Sequence, residues 1–405
     1  MTCVSLTADL ADRFRQSLPA DRFDVPDARY LEEPRGRWAG QGGLLARPRD
    51  TQEVATIVRL ANELNVGIVP YAGGTGLVGG QILADGAIPL IISVERLNQI
   101  SAVYPEENVL LAGAGVILAD VQQAAETADR LFPLSLASEG SARVGGLLAT
   151  NAGGTGVLRY GNARDLCLGI EAVLPNGDIY HGLTRLRKDN TGYDLRNLLI
   201  GAEGTLGIIT AAALKLYSRP VGQGTALMAV KDPKAALSLL SMARDQMGEG
   251  ISAFELMHRQ GFDFLKETKV EIRNPWVDTP EWCVLIDVGL PAGLDPADQL
   301  ENLFTRAVAE DLVSDGLIAQ SEQQRADFWS VREHIPEGNR RVGSISSHDI
   351  SVPLSAIPDF ITKGGEAIAK LGSFRINCFG HVGDCLLYTS PSPRDLSTSR
   401  MPSSA

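Results

Sequence analysis

Long hydrophobic runs are missing from this chain of 405 residues. None approaches the roughly 20 apolar residues that a membrane-crossing helix needs, so no helical span is expected. Paired cysteines are missing too. Cys3, Cys167, Cys283, Cys378 and Cys385 stand far apart without a C-x-x-C pair, which argues against a disulfide framework or a zinc knuckle and leaves buried or idle thiols. Positive charge is in deficit: the net charge of −12 argues against a nucleic-acid surface. The opening MTCVSLTADLADRFRQSL lacks the basic start, long apolar centre and small-residue exit of a signal peptide, and the expectation drawn from it is a cytoplasmic protein. The length allows two domains, each with a core of its own.

Glycine, by contrast, is abundant and clustered. The stretch AGGTGLVGG at 72–80 is followed by GGLLATNAGGTG at 145–156 and GAEGTLG at 201–207, each beside an apolar run. Glycine lacks Cβ and tolerates positive φ, so such turns bring backbone N–H groups close to an anion. Three of them in one region point to one large ligand carrying phosphates. Gly74, Gly76 and Gly79 also satisfy G-x-G-x-x-G, and Glu95 stands where a dinucleotide fold places its ribose acid. The context is wrong for that fold, which opens a helix at the glycines. Here GQILADGAIPLIIS reads as a loop and then a strand.

Residues 1–38 read as a short helix and an irregular arm carrying no legible chemistry. From Gly42 a strand, a helix and a second strand lead into the first glycine turn. Asp50 with Glu53 resembles a capping box, and Val54, Ile57, Val58, Ala61 and Leu64 fall on one helical face. Strands follow at 88–93, 99–104 and 109–114, then a helix over 118–131. The small-residue run 133–154 reads as a passage for a flat, extended cofactor. Pro175-Asn176-Gly177 marks a hairpin between strands 168–174 and 178–182. A short helix at 194–200 and a buried strand at 207–217 complete a domain over 39–219. Beyond Pro220, strands at 225–230, 251–256 and 282–288 alternate with helices at 233–247 and 296–315. That pattern predicts an antiparallel sheet with helices on one face, a substrate-covering domain over 220–384.

YAGGTGLVGGQ, RLFPLSLASEGSARVGGLLATNAGGTGVLRYGNARDLCLGIEAVLPNG, RKDNTGYDLRNLLIGAEGTLGIITAAALKL and FGHVGD together closely resemble the FAD-linked D-2-hydroxyacid dehydrogenases, within the vanillyl-alcohol-oxidase-like flavoproteins. The likeness runs from about Trp38 to Asp384. It implies an α+β architecture: a two-part FAD-binding domain of the vanillyl-alcohol-oxidase/p-cresol-methylhydroxylase type, plus an α+β cap domain with an antiparallel sheet. In that family the first turn, here Gly73, Gly74, Thr75, Gly76, Leu77, Val78 and Gly79, holds the FAD pyrophosphate. Ser138, Gly145, Gly146, Thr150, Asn151, Gly153 and Gly154 would line the cofactor. Backbone around Glu203, Gly204, Ile208 and Ile209 would approach its adenine end. No histidine precedes His181, so FAD is expected to be non-covalent.

The resemblance also implies a reaction: the α-hydrogen of a D-2-hydroxyacid leaves as hydride to the flavin while a base takes the hydroxyl proton. Arg332, in FWSVREHIPE, matches the arginine that holds the substrate carboxylate, and His381, in FGHVGD, the first histidine of a divalent-metal site for zinc or manganese. Arg332 and His381 are thus the candidate catalytic residues. Electrons would leave to an electron-transfer flavoprotein, a quinone or a cytochrome. A homodimer is left open.

Two departures stand out. Relatives acting on D-2-hydroxyglutarate carry Thr and Lys where this chain has Pro336 and Ser347, two before Asp349, which removes donors for a distal carboxylate unless Arg340 or Arg341 supplies one. After Asp384 the family's GNLH is replaced by CLLYTSPSPRDLSTSRMPSSA, a Ser-, Pro- and Arg-rich tail over 385–405 that reads as disordered and non-native. The metal site is then expected to be incomplete, lacking its second histidine, its acidic ligand and the base. Two rival readings are a flavin-binding module without turnover and an enzyme like alkyl-dihydroxyacetone-phosphate synthase.

Overall fold

The computed structural model describes residues 3–343, 346, 348 and 350–383. They form two compact units: residues up to Gly154 with Gly161–Arg219, and Thr155–Tyr160 with the chain from Pro220 onward.

The first unit is α+β and carries two sheets. In the smaller, strands run in the order Phe23–Asp24, Leu44–Ala46, Leu90–Ser93, Ile68–Tyr71, the last three parallel. Leu90–Ser93 is buried at every position, as expected of a parallel strand covered on both faces. On one face Leu44, Ala46, Leu90 and Ile92 pack with Val54, Ile57, Val58 and Ala61 of the helix Thr51–Leu64. On the other, Leu45 and Ile91 meet Tyr30 and Tyr71. Asp50 accepts from the Glu53 amide at 2.8 Å, while the Glu53 carboxylate reaches back to the amide of Arg49 at 2.7 Å, one residue beyond the N-cap amide of the expected capping box. Asn65 ends the helix in the left-handed region, φ 54°. Gly74–Pro89 holds no helix, and Glu95 instead accepts from the hydroxyl of Tyr30 at 2.9 Å and pairs with Arg29 and Arg47. Burial together with that carboxylate pushes the Tyr30 hydroxyl up to about 12.

The larger sheet of this unit is antiparallel, in the order Ile100–Tyr104, Val109–Gly113, Ile208–Lys215, Cys167–Val173, Ile179–Gly182. The unit also holds the helix Leu118–Thr127, which buries Leu118, Val121 and Ala125, and the short helix Val144–Ala149.

The second unit is one antiparallel sheet in the order Val313–Ile318, Gly222–Val230, Trp282–Leu290, Ile251–His258, Phe379–His381. Two expectations are corrected here. Helices cover both faces, not one: Pro233–Met247 and Pro296–Ala309 pack on the face of Ala226, Met228, Val284 and Ile286, and Glu322–Arg341 with Arg259–Glu267 on the face of Leu227, Cys283 and Leu285. The unbroken burial of the central strand Trp282–Leu290 is the direct consequence. The helix expected over 296–315 stops at Ala309, because Asp311 turns left-handed (φ 57°) and the amides of Asp311 and Leu312 return to the carbonyls of Val308 and Ala307. The freed residues become the edge strand.

Candidate functional site

In the first unit the three glycine stretches converge on the helix Val144–Ala149. A methyl group at Gly73 would come within 2.5 Å of the Ser141 carbonyl oxygen and 3.2 Å of the Arg143 nitrogen; one at Gly146 would lie 3.1 Å from Cβ of Ala72. The first turn is therefore packed on the start of that helix at a distance only glycine allows. The third stretch closes on its other end: the amides of Gly201 and Glu203 donate to the carbonyls of Leu148 and Ala149 at 3.0 and 2.9 Å. Asn151, at φ 49°, follows the helix and accepts from the amide of Arg164 at 3.0 Å. Thr150 bonds back to Gly146 at 2.9 Å, and Ser138 accepts from the amide of Ala142 at 2.8 Å, fixing the turn before the helix.

Within the first turn Gly74 and Gly79 are left-handed, φ 67° and 77°. Gln81 donates to the carbonyls of Gly76 and Gly74 at 2.8 and 3.4 Å. Among the described residues the amides of Gly73, Gly74, Thr75, Gly76, Leu77, Val78 and Gly79 donate to no protein acceptor. That is a row of seven donors left over from the fold among the described residues. Gly153 and Gly154 continue the run, Gly154 at φ 136°. Gly204 is left-handed at φ 76°. Ile208 and Ile209 stand apart from the rest: their side chains are buried in the strand Ile208–Lys215, and Ile208 belongs to the core around Thr51–Leu64. Gln81 ends the quoted glycine motif, but nothing in its spacing revealed that it ties the turn.

In the second unit Arg332 and His381 are brought together by a residue that sequence reading passed over. Glu255, 1% exposed, sits in Ile251–His258 opposite His381 of the edge strand. Its Oε2 accepts from Nε of Arg332 at 2.7 Å, and its Oε1 meets Nδ1 of His381. The guanidinium also lies over the ring of Phe379, 4.9 Å from its centroid. Burial pushes the Glu255 carboxyl up, but Arg332 and His381 outweigh it and hold it down to about 2, so it is an anion. The signal in the sequence was one acidic letter inside an apolar strand, ISAFELMH.

Two helical turns before Arg332, Arg325 faces the same sheet and meets a second buried carboxylate, Asp287, at 3.2 and 3.3 Å. Its remaining nitrogen donates to Gln223 at 2.8 Å, and Asp287 also accepts from Thr225 and Trp329. Among the described residues no group of three or more His, Cys, Asp or Glu side chains forms a metal site. Among the described residues the metal expected at His381 therefore finds no ligand set, and Ser347, Asp349 and the 385–405 tail lie outside the described residues.

The family description "FAD binding domain" matches residues 43–182, and "FAD linked oxidases, C-terminal domain" matches 219–391. The mitochondrial D-2-hydroxyglutarate dehydrogenase of Bos taurus is 35% identical over 93% of this chain and 69% of its own length; that of Arabidopsis thaliana is 33% identical over 89% and 64%. The chain thus spans about two thirds of these relatives. Among solved structures, an alkyldihydroxyacetonephosphate synthase aligns with a TM-score of 0.68 at 17% identity, over 93% of this chain and 78% of that one. A substrate-bound p-cresol methylhydroxylase aligns at 0.62 and 17%, over 83% and 70%. These two share the fold. The cytoplasmic expectation is corrected by the relatives' names, which point to mitochondria. Within the first unit Val4 bridges to Val66, and Leu6, Ala11 and Phe14 are buried in its core. With matches to both domains and with relatives at this identity over most of its length, the chain belongs to the FAD-linked D-2-hydroxyacid dehydrogenases, oxidoreductases with the p-cresol-methylhydroxylase type of FAD-binding fold.

Proposed function

We propose that the protein oxidises a D-2-hydroxyacid to the 2-oxoacid, D-2-hydroxyglutarate and D-lactate being the first substrates to assay. Bound FAD would accept the hydride. The first unit suits that cofactor: the amides of Gly73–Gly79, without acceptors among the described residues, could meet a pyrophosphate, and Gly145 and Gly146, with Thr150 and Asn151, would line the cofactor beside them. The absence of a histidine before His181 supports non-covalent attachment.

Arg332 carries the reading. Its Nε is held by Glu255, and among the described residues its two terminal nitrogens have no acceptor. A guanidinium tethered at Nε presents its outer edge as a fork matched to a carboxylate. Binding there fixes the α-carbon of a 2-hydroxyacid. The Glu255 anion holds the Nδ1 side of the His381 ring and so orients it. The described residues do not make a metal site, and no step is assigned to one. Electrons would pass on to an electron-transfer flavoprotein, a quinone or a cytochrome. Anaerobic addition of D-2-hydroxyglutarate, D-lactate or D-malate to the FAD-loaded protein should bleach the flavin, the L-enantiomers should not, and Arg332→Ala should abolish bleaching. A flavin that binds but stays oxidised with every D-acid sinks the proposal.

A further inference from the structure

We propose that Glu255 is a positioning residue of the substrate-anion site, its one carboxylate holding the Arg332 guanidinium and the His381 imidazole in a single arrangement. The inference deepens the reading above and rests on it for the identity of the anion.

Three observations carry it. Glu255 is the charged residue on a strand whose neighbours on the same face, Ala253 and Met257, are apolar and buried. A carboxylate there must be desolvated, and replacing the whole buried ion set by well-packed apolar side chains would serve stability as well or better. What the carboxylate provides is geometry between elements distant in sequence, the helix Glu322–Arg341 and the edge strand Phe379–His381. That edge strand has 3 residues, and its pairing places His381 directly opposite Glu255.

The comparison with Asp287 supplies the third. Arg325 is engaged through all its nitrogens, by Asp287 through Nε and Nη2 and by Gln223 through Nη1, and has no edge left to offer. Arg332 is engaged by the described residues through Nε alone. Of two buried carboxylate–arginine pairs under one helix, one is closed and structural. The other is tethered on one side and open on the other, as a ligand-holding arginine must be.

The test uses the full FAD-loaded chain with oxalate, an unreactive two-carbon dianion, as the probe. Glu255→Gln should weaken oxalate binding by roughly 10- to 100-fold, the usual cost of losing a hydrogen bond to a charged group. Glu255→Asp, which keeps the charge, should recover part of it. Adding Glu255→Gln to Arg332→Ala should weaken binding no further. With 15N-labelled histidine, the wild-type His381 ring should show the Nδ1–H tautomer, and this ring should change in Glu255→Gln while the others do not. Leu239→Ala, on the opposite sheet face, should lower stability and move none of these readouts. The proposal is overturned if Glu255→Gln binds oxalate as the wild type does with the His381 tautomer unmoved, or if its loss adds in full to that of Arg332→Ala. Should Glu255→Gln not fold, Glu255→Asp carries the same readouts. Failure of the enzymatic reading looks different: the wild-type flavin stays oxidised with every D-2-hydroxyacid, while oxalate binding and the His381 tautomer still depend on Glu255.

Discussion

The two faces of the second unit's sheet solve the same packing problem with different chemistry. One is apolar throughout: Met228, Val284, Ile286 and Phe254 meet Leu239, Leu240, Leu300 and Leu303 of the two helices above them. The other has a comparable apolar centre of Leu227, Cys283, Leu285, Phe328 and Val331, but Asp287 and Glu255 interrupt it, each paired with an arginine of the helix Glu322–Arg341. The apolar face is non-directional and tolerates any filling of the right volume. The charged face is satisfied in one arrangement only. It contributes less to stability than its burial suggests, because desolvating each ion offsets much of the attraction. Its return is definition: two arginines fixed in register on one helix, one of them engaged by the described residues through Nε alone.

The sharpest way to break the comparison is Ile286→Ala on the apolar face. It should cost about 4 kcal/mol in denaturant unfolding, as a fully buried truncation does, while oxalate affinity per folded molecule stays unchanged. Asp287→Ala on the charged face should cost somewhat less, about 2–3 kcal/mol, since Arg325 keeps some exposure to water when its partner is lost. A loss of oxalate binding equal to that of Glu255→Gln would show that the two pairs are not functionally distinct. In the first unit, where glycine replaces both chemistries, Gly73→Ala should push the turn off the Ser141 carbonyl, cost about 1–3 kcal/mol of stability and weaken FAD binding in a flavin titration. The smallest effect belongs to His258, whose Nδ1 caps the helix Arg259–Glu267 by accepting from the amide of Gln260 at 3.1 Å. Burial lowers its pKa, against the pull of Glu281. The folded state therefore favours the neutral ring: the stabilisation is complete above the unfolded value near 6.5 and declines as pH falls below it. Melting temperature should drop slightly from pH 7.5 to 5.5, and His258→Asn should remove that component.

What the sequence disclosed was local or periodic. The glycine turns, the Asp50 cap, the hairpin at Pro175–Gly177 and the helix Pro233–Met247 were legible because each rule operates within a few residues. The strand Val313–Ile318 was absorbed into a helix because Ser314, Asp315 and Gly316 carry no alternation. The charged face stayed hidden for another reason. Its covering helix, EQQRADFWSVREHIPEGNRR, is polar along most of its length and contains Pro336, so it announces no buried stripe. Glu255 lies 77 residues from Arg332 and 126 from His381. No window of sequence joins them; only the sheet register does.

The second unit also reclaims Thr155–Tyr160 from within the sequence span of the first. Leu158 packs on its apolar core, and Arg159 donates to the carbonyl of Gly289 at 2.6 Å and to Ser252 at 3.3 Å. The chain thus crosses from one unit to the other, returns, and crosses again. A gene rearrangement with a single breakpoint at Pro220 would deliver the second unit without its segment Thr155–Tyr160, so the two units are expected to have been inherited together, not exchanged one at a time.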